Sequence, residues 1–463
     1  MNMAEEKKET KEAVESGVHN YTEEEAYVWP ENPAVREHLE WFRGLKLGFM
    51  MHWAPVSQLG LMESWPLSDG DRDWCQVEID WTDDIEEFKE QYLNLNKTFN
   101  PVKFRPDHWA KLARECGFKY VLFTTKHHDG FCMYDSKYSD YKITAPDCPF
   151  SQNKRANVVK EIFDAFRAEG MAVSAYFSKP DWHSDAYWHR AFGTAPTRNV
   201  NYDVKEHPEL WEEFVQYTHS QLKELTSGDY GKIDALWLDG GWVNPRTDGQ
   251  DIRLGEVVEE IRATTQPHLI CCDRTVGGPY ENIVTPEQSI PPRPMNIPWE
   301  TCMTLGRTFS FHYDDEFKPT RQIVHTFLDI VSKGGNLALN ITPQPDGQLP
   351  RKAVRILRQL GNWLSQNGEG IYNTHISQCK PYREVVYTAK EGKEYAFFMY
   401  SDQVWLHPYI YLDITRPVSG VRLLRTGESV PFSYDSVSGR LVLDTSKIST
   451  VGAEFADCFE VTY

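Results

Sequence analysis

The stretch Lys232-Ile-Asp-Ala-Leu-Trp-Leu-Asp-Gly-Gly-Trp242 decides the fold. Ile233, Ala235, Leu236 and Leu238 make a short, nearly continuous apolar run, the pattern of a strand buried on both faces of a parallel sheet. The run stops on Asp239, and Gly240-Gly241 lets the chain turn sharply beside it. A lone carboxylate at the carboxyl end of such a strand, between Trp237 and Trp242, stands where barrel enzymes keep their chemistry. An isolated aspartate there can equally do no more than cap the next segment, so its surroundings have to decide.

Working outward, strand and helix patterns alternate. Strands are expected at 47–53, 119–125, 172–177, 235–238, 269–272 and 336–341. Helices are expected at 36–42, 108–116, 157–169, 208–227, 253–264, 321–333 and 351–367, with Gly117 and Gly170 as stops. Roughly seven or eight strand-then-helix units favour a closed (β/α)8-like barrel over an open sheet, so the fold class is α/β. The connection after the first strand is long and carries Glu63-Ser-Trp-Pro-Leu67, then an acidic segment from Asp69 to Asp84 expected to be a solvated face. Beyond Tyr372 the pattern changes to short runs at 395–399, 409–413, 420–424, 440–443 and 459–462, a small antiparallel β-sandwich. The expected organisation is a disordered polar segment over 1–20, the barrel over 21–374 and the β-sandwich over 375–463.

Bulk properties narrow the function. A net charge of -19 over 463 residues disfavours nucleic acid or an anionic membrane surface as partner. No apolar run is long enough to span a bilayer. The nine cysteines are scattered, without a CxxC pair, so neither a disulfide framework nor a zinc cage is indicated. There is no Gly-rich phosphate loop, and no cofactor is expected. Met1 to Ser16 is charged and lacks an apolar h-region, so no signal peptide is visible; a cytoplasmic location is expected unless a leader has been removed. Oligomeric state is not readable from these features.

The polar clusters fall after strands, on one face: His52, Trp53, Glu63, Trp65, His127, His128, Asp129, Tyr176, Trp182, Trp237, Asp239, Arg274, Glu287 and Glu300. Two carboxylates among neutral hydrogen-bonding groups and aromatics suit glycoside hydrolysis: one attacks the anomeric carbon or activates water, and the other protonates the leaving oxygen. Adjacent histidines on a regular strand point to opposite faces, so His127 and His128 would share a metal only at an irregular strand end. A metal-dependent barrel hydrolase would also need a His-x-His pair after the first strand, where only His52 stands. No metal is expected.

The run Phe99-Asn-Pro-Val-Lys-Phe-Arg-Pro-Asp-His-Trp-Ala-Lys-Leu-Ala-Arg-Glu-Cys-Gly-Phe-Lys-Tyr-Val-Leu-Phe-Thr-Thr-Lys-His-His-Asp-Gly-Phe131 closely resembles glycoside hydrolase family 29, the α-L-fucosidases. The resemblance continues through His52-Trp53, Tyr176-Phe-Ser178, Trp237-Leu-Asp239, Thr285-Pro-Glu287, Trp299-Glu300 and Lys333-Gly-Gly-Asn-Leu337. It implies a retaining exo-α-L-fucosidase with a (β/α)8-like barrel and a C-terminal β-sandwich, acting on an oligosaccharide or glycoconjugate. It further implies Asp239 as nucleophile and Glu287 as acid/base, with Glu300 the rival carboxylate or a buried structural or sugar-orienting one. His52, His127, His128, Trp65, Tyr176, Trp237, Arg274 and Phe311 are implied as sugar-site residues. Where many fucosidases carry Glu-Trp-Tyr after the first strand, this chain has Glu63-Ser-Trp-Pro66, which opens the alternative of an α-L-galactosidase with the same mechanism. A catalytically silent carbohydrate-binding relative would lack a carboxylate, whereas Asp239 and Glu287 are both present.

Overall fold

The computed structural model describes residues 21–72, 75, 82, 84–193 and 197–463. The segment 1–20 and part of the acidic segment lie outside the described residues. Strands β1 (Leu47–Met51), β2 (Tyr120–Lys126), β3 (Ala172–Ser178), β4 (Ala235–Asp239), β5 (Ile270–Asp273), β6 (Glu300–Thr304) and β7 (Asn336–Asn340) form one seven-stranded sheet in the order β5-β4-β3-β2-β1-β7-β6. Every neighbouring pair is parallel. β1, β2, β3, β5 and β7 are buried along their whole length, as their apolar runs require.

The sheet curls into a barrel whose remaining gap, between β5 and β6, is filled without a regular strand. After β5 the chain doubles back, with Asn282 N donating to Cys271 O, then rises beside β6. On the rise Glu300 N donates to Val284 O, and Gln288 N to Cys302 O. This irregular segment supplies the eighth wall and carries Glu287 at its top. Inside the barrel, Met50, Leu122, Tyr176, Trp237, Cys272 and Ala338 form a closed apolar cluster.

Helices α1 (Pro33–Arg43), α2 (Ile85–Leu93), α3 (Pro106–Glu115), α4 (Val158–Ala168), α5 (Pro208–Thr226), α6 (Leu254–Thr264), α7 (Thr320–Ser332) and α8 (Arg351–Asn367) accompany the sheet. Their starts are written locally: Asn32 and Asn157 cap α1 and α4 with their side chains, and Pro33, Pro106 and Pro208 open α1, α3 and α5. Sequence reading omits α2, which Asp84 caps by accepting from Glu86 N and Glu87 N.

The C-terminal part is a β-sandwich. Strands β8 (His375–Ile376), β9 (Val385–Lys390), β10 (Lys393–Met399), β12 (Gly420–Leu423) and β15 (Ala456–Thr462) make a five-stranded antiparallel sheet; β11 (Tyr409–Leu412), β13 (Phe432–Tyr434) and β14 (Leu441–Asp444) make a three-stranded one. Alternation along β10 explains its place: Ala396 and Phe398 pack with Leu412, Leu441 and Leu443 of the smaller sheet. Tyr395 and Phe397 join the barrel's outer core with Trp363 of α8, whose indole N–H donates to Ala456 O at 2.8 Å. The five-stranded sheet is thus buried on both faces. Sequence reading omits β6, β8, β9 and β13.

Candidate active site

Asp239 ends β4 and is followed by a turn that only glycine fits. Gly240 has φ +88°, and a Cβ there would lie 2.3 Å from Pro180; a Cβ on Gly241 would lie 2.0 Å from Thr275 Oγ1. The carboxylate is held on both oxygens: Arg274 Nη1 donates to Oδ1 at 2.8 Å and the Tyr176 hydroxyl to Oδ2 at 2.6 Å. Burial opposes its ionisation, but the Arg274 guanidinium and the Tyr176 hydrogen bond outweigh this and hold Asp239 well below the usual carboxylate range.

Arg274 follows β5 directly, and its fork reaches two carboxylates at once. Nη1 binds Asp239 while Nη2 binds Glu287 Oε2. Its charge also lies 4.6 Å from the ring centre of Trp237, which in turn stacks on Tyr176 with centroids 5.3 Å apart. Its ion-pair partners are thus Asp239 and Glu287, while the neighbouring Asp273 pairs with Lys179 at 2.5 Å.

The pocket above these groups is lined by Met50, His52, Glu63, Trp65, His127, Tyr176, Trp237, Asp239, Gly241, Trp242, Arg274, Glu287, Cys302 and Phe309. Its histidines are neutral. Burial lowers His52 to about 4 against the opposing Asn340 hydrogen bond, and lowers His127 well below the usual imidazole range. Asn340 Nδ2 donates to Phe309 O, so its Oδ1 accepts from His52 Nδ1 at 2.9 Å; Nε2 of His52 then keeps its lone pair for a ligand.

Glu63 also belongs to the pocket. It stands at φ 37° in the loop after β1, with its N–H on Ser310 Oγ at 3.0 Å. Burial pushes its carboxyl up to about 8, the Ser310 hydrogen bonds opposing and Glu287 adding, so at neutral pH it is a hydrogen-bond donor. Sequence reading places it on this face without a role. Met50, Cys302 and Phe309 are missed there; inward alternation along β1 and β6 was the available signal for the first two.

Three expected sugar contacts are placed differently. Glu300 opens β6, at the amino end of the strand, below Cys302 and away from the catalytic face. Both its oxygens are occupied, accepting from Tyr120 Oη and from Trp237 Nε1 at 3.1 Å, so it orients the indole from beneath. Phe311 packs on Tyr313 (centroids 5.0 Å apart), while Phe309 sits 5.0 Å from His52 and takes the place at the pocket. His128 is fully buried behind Trp65 and Trp242, with Nε2 3.7 Å from Asp239 Oδ2.

This geometry has close relatives. A family model described as Alpha-L-fucosidase matches residues 14–369. The chain belongs to that family. Plasma alpha-L-fucosidase of Homo sapiens is 28% identical over 419 residues, covering 85% of this chain and 83% of its own. Among solved structures, alpha-L-fucosidase isoenzyme 1 from Paenibacillus thiaminolyticus is 29% identical with a TM-score of 0.76, over 93% of this chain and 99% of its own. The fold is shared also with a family 29 α-L-fucosidase of Bacteroides thetaiotaomicron described as a trapped covalent intermediate (TM-score 0.74, 22% identity, 96% of this chain and 98% of that one). Members of the α-L-fucosidase family are glycoside hydrolases, and this chain is one.

Proposed function

We propose that the protein is a retaining exo-α-L-fucosidase in which Asp239 is the nucleophile and Glu287 the acid/base. The observation that carries this is the Arg274 fork, which binds both carboxylates at one wall of a blind pocket. Two carboxyl groups bridged by one guanidinium favour the short separation of retaining enzymes, roughly 5–5.5 Å, over the roughly 6.5–9.5 Å that admits a water.

In the first step Asp239 forms a bond to the anomeric carbon as the bond to the aglycone oxygen breaks, and Glu287 gives that oxygen its proton. In the second, Glu287 takes a proton from water, the water oxygen bonds to the anomeric carbon, and Asp239 leaves as carboxylate. The Arg274 and Tyr176 hydrogen bonds keep Asp239 ionised and aimed. His52, His127 and the Glu63 carboxyl supply the mixed donors and acceptors that sugar hydroxyls need. Met50, Cys302 and Phe309 add apolar lining, which suits the C6 methyl of a 6-deoxy sugar better than a hydroxymethyl group.

The test is a kinetic comparison of 4-nitrophenyl α-L-fucoside with 4-nitrophenyl α-L-galactoside, with the first-formed anomer followed by NMR. Preference for the fucoside and release of the α-anomer are expected. Preference for the galactoside would reassign the substrate, and a β-anomer would overturn the double displacement.

A further inference from the structure

The strand ends around the nucleophile also assemble a set of metal-ligand atoms. His127, His128 and Asp239 each offer one ligand atom, and these atoms lie within 4.8 Å of one another. Adjacent side chains on a regular strand would diverge. Here the β2–β3 register shifts between Thr124 and Lys126, and the two imidazoles lie together with ring centroids 4.2 Å apart.

A serine orients each ring. Ser178 Oγ gives its hydrogen to Pro180 O at 2.7 Å, so it accepts from His128 Nδ1 at 2.6 Å. The lone pair of His128 therefore sits on Nε2, a buried atom with no hydrogen-bond partner among the described residues. It faces Asp239 Oδ2 across 3.7 Å, two acceptors with no proton between them. On His127, Ser64 Oγ engages Nδ1. Imidazoles steadied through their second nitrogen beside a carboxylate are the arrangement in which these groups bind a metal.

We propose that His127, His128 and Asp239 form an inhibitory site for a borderline divalent cation, Zn²⁺ or Cu²⁺, which excludes the sugar. Two nitrogens and one carboxylate oxygen leave a fourth tetrahedral position open. Bonds of about 2.0–2.2 Å give tetrahedral edges of about 3.4 Å, so the His128–Asp239 gap of 3.7 Å needs little closure, while the other gaps, within 4.8 Å, close by up to about 1.4 Å through rotation of the side chains. Tyr176 must release Oδ2, and Arg274 on Oδ1 opposes a second cation, so binding is weaker than in a structural zinc site. The nitrogen ligands disfavour Mg²⁺ and Ca²⁺. Exclusion of the sugar rests on the function proposed above; the cation site does not.

The test is a titration of the full-length protein with Co²⁺, read by its visible d–d absorption. A tetrahedral-type band that Zn²⁺ displaces is expected, without near-ultraviolet thiolate charge transfer. Asp239→Asn and His128→Gln should each weaken Co²⁺ binding at least about tenfold, with His127→Gln as the third variant if either fails to fold. Unchanged Co²⁺ affinity in a folded variant overturns the proposal, as does a thiolate band pointing to a cysteine such as Cys302. In parallel, Zn²⁺ should raise the KM for the activated fucoside in proportion to its concentration, with kcat unchanged and EDTA reversing the effect. Absence of any fucosidase activity would sink the enzymatic reading while the Co²⁺ titration still decides the site.

Discussion

Replacing Glu300 by Gln separates a buried structural carboxyl from a catalytic one. Burial pushes this group from its ordinary 4.5 up to about 7, although Tyr120 and Trp237 both hydrogen-bond to it. A folded-state value above the unfolded one means the native protein binds more protons between the two, so stability falls as pH rises through that window. Between pH 5 and pH 8 the loss from this group is on the order of 2–3 kcal/mol. The amide cannot ionise. Its oxygen can accept from Trp237 Nε1 and its NH2 can donate to Tyr120, whose own hydrogen can turn to Asn336, already within hydrogen-bonding reach. Relative to wild type, Glu300→Gln should therefore gain stability at pH 8 over pH 5, by about 2–3 °C in Tm. Thermal melts at the two pH values measure it. Turnover should fall less than about tenfold, and equally for 4-nitrophenyl and alkyl fucosides, because no proton transfer is lost. Glu287→Ala should instead lose roughly 10²–10⁴-fold on alkyl fucosides and much less on the activated ones. If Glu300→Gln showed that leaving-group signature, or a pH-independent stability difference, the argument from the buried pair of hydrogen bonds would be refuted.

Other consequences are as direct. With His52 and His128 lowered to about 4 and Asp239 lower still, kcat/KM should hold steady down to about pH 5 and fall below it; an acid limb near the ordinary imidazole value of 6.5 would contradict neutral, buried rings. Phe309→Ala should cost at least about tenfold in kcat/KM for the fucoside, while Phe311→Ala costs little; the reverse order would return Phe311 to the pocket. Arg274→Lys keeps the charge but not the fork, so on the order of 10²-fold should be lost from kcat, and a variant within twofold of wild type would show that bridging both carboxylates is dispensable.

What the sequence discloses here depends on whether a residue sits in a regular element. Asp239 is legible because a buried apolar run ends on it and a Gly-Gly turn follows, and the turn proves sterically obligatory. The strands β1 to β5 and β7 announce themselves by apolar runs with helices between them. The barrel's eighth wall does not, because Tyr280 to Gln288 owes its place to backbone hydrogen bonds with Cys271, Pro298 and Cys302 rather than to side-chain periodicity, and Gln288 turns at φ 50°. Glu287 therefore takes its role from resemblance to a family motif, not from pattern. Phe309 and Phe311 lie in a loop where nothing in the spacing says which ring turns inward; packing on His52 or on Tyr313 decides it. Glu300 teaches a different limit. Alternation along β6 puts Glu300 and Cys302 on the same inward face, but depth along the barrel axis is invisible in a pattern of period two. Two residues, about 6.6 Å of strand, separate a thiol at the pocket floor from a carboxyl in the core, and that distance turns a rival catalyst into the support of Trp237.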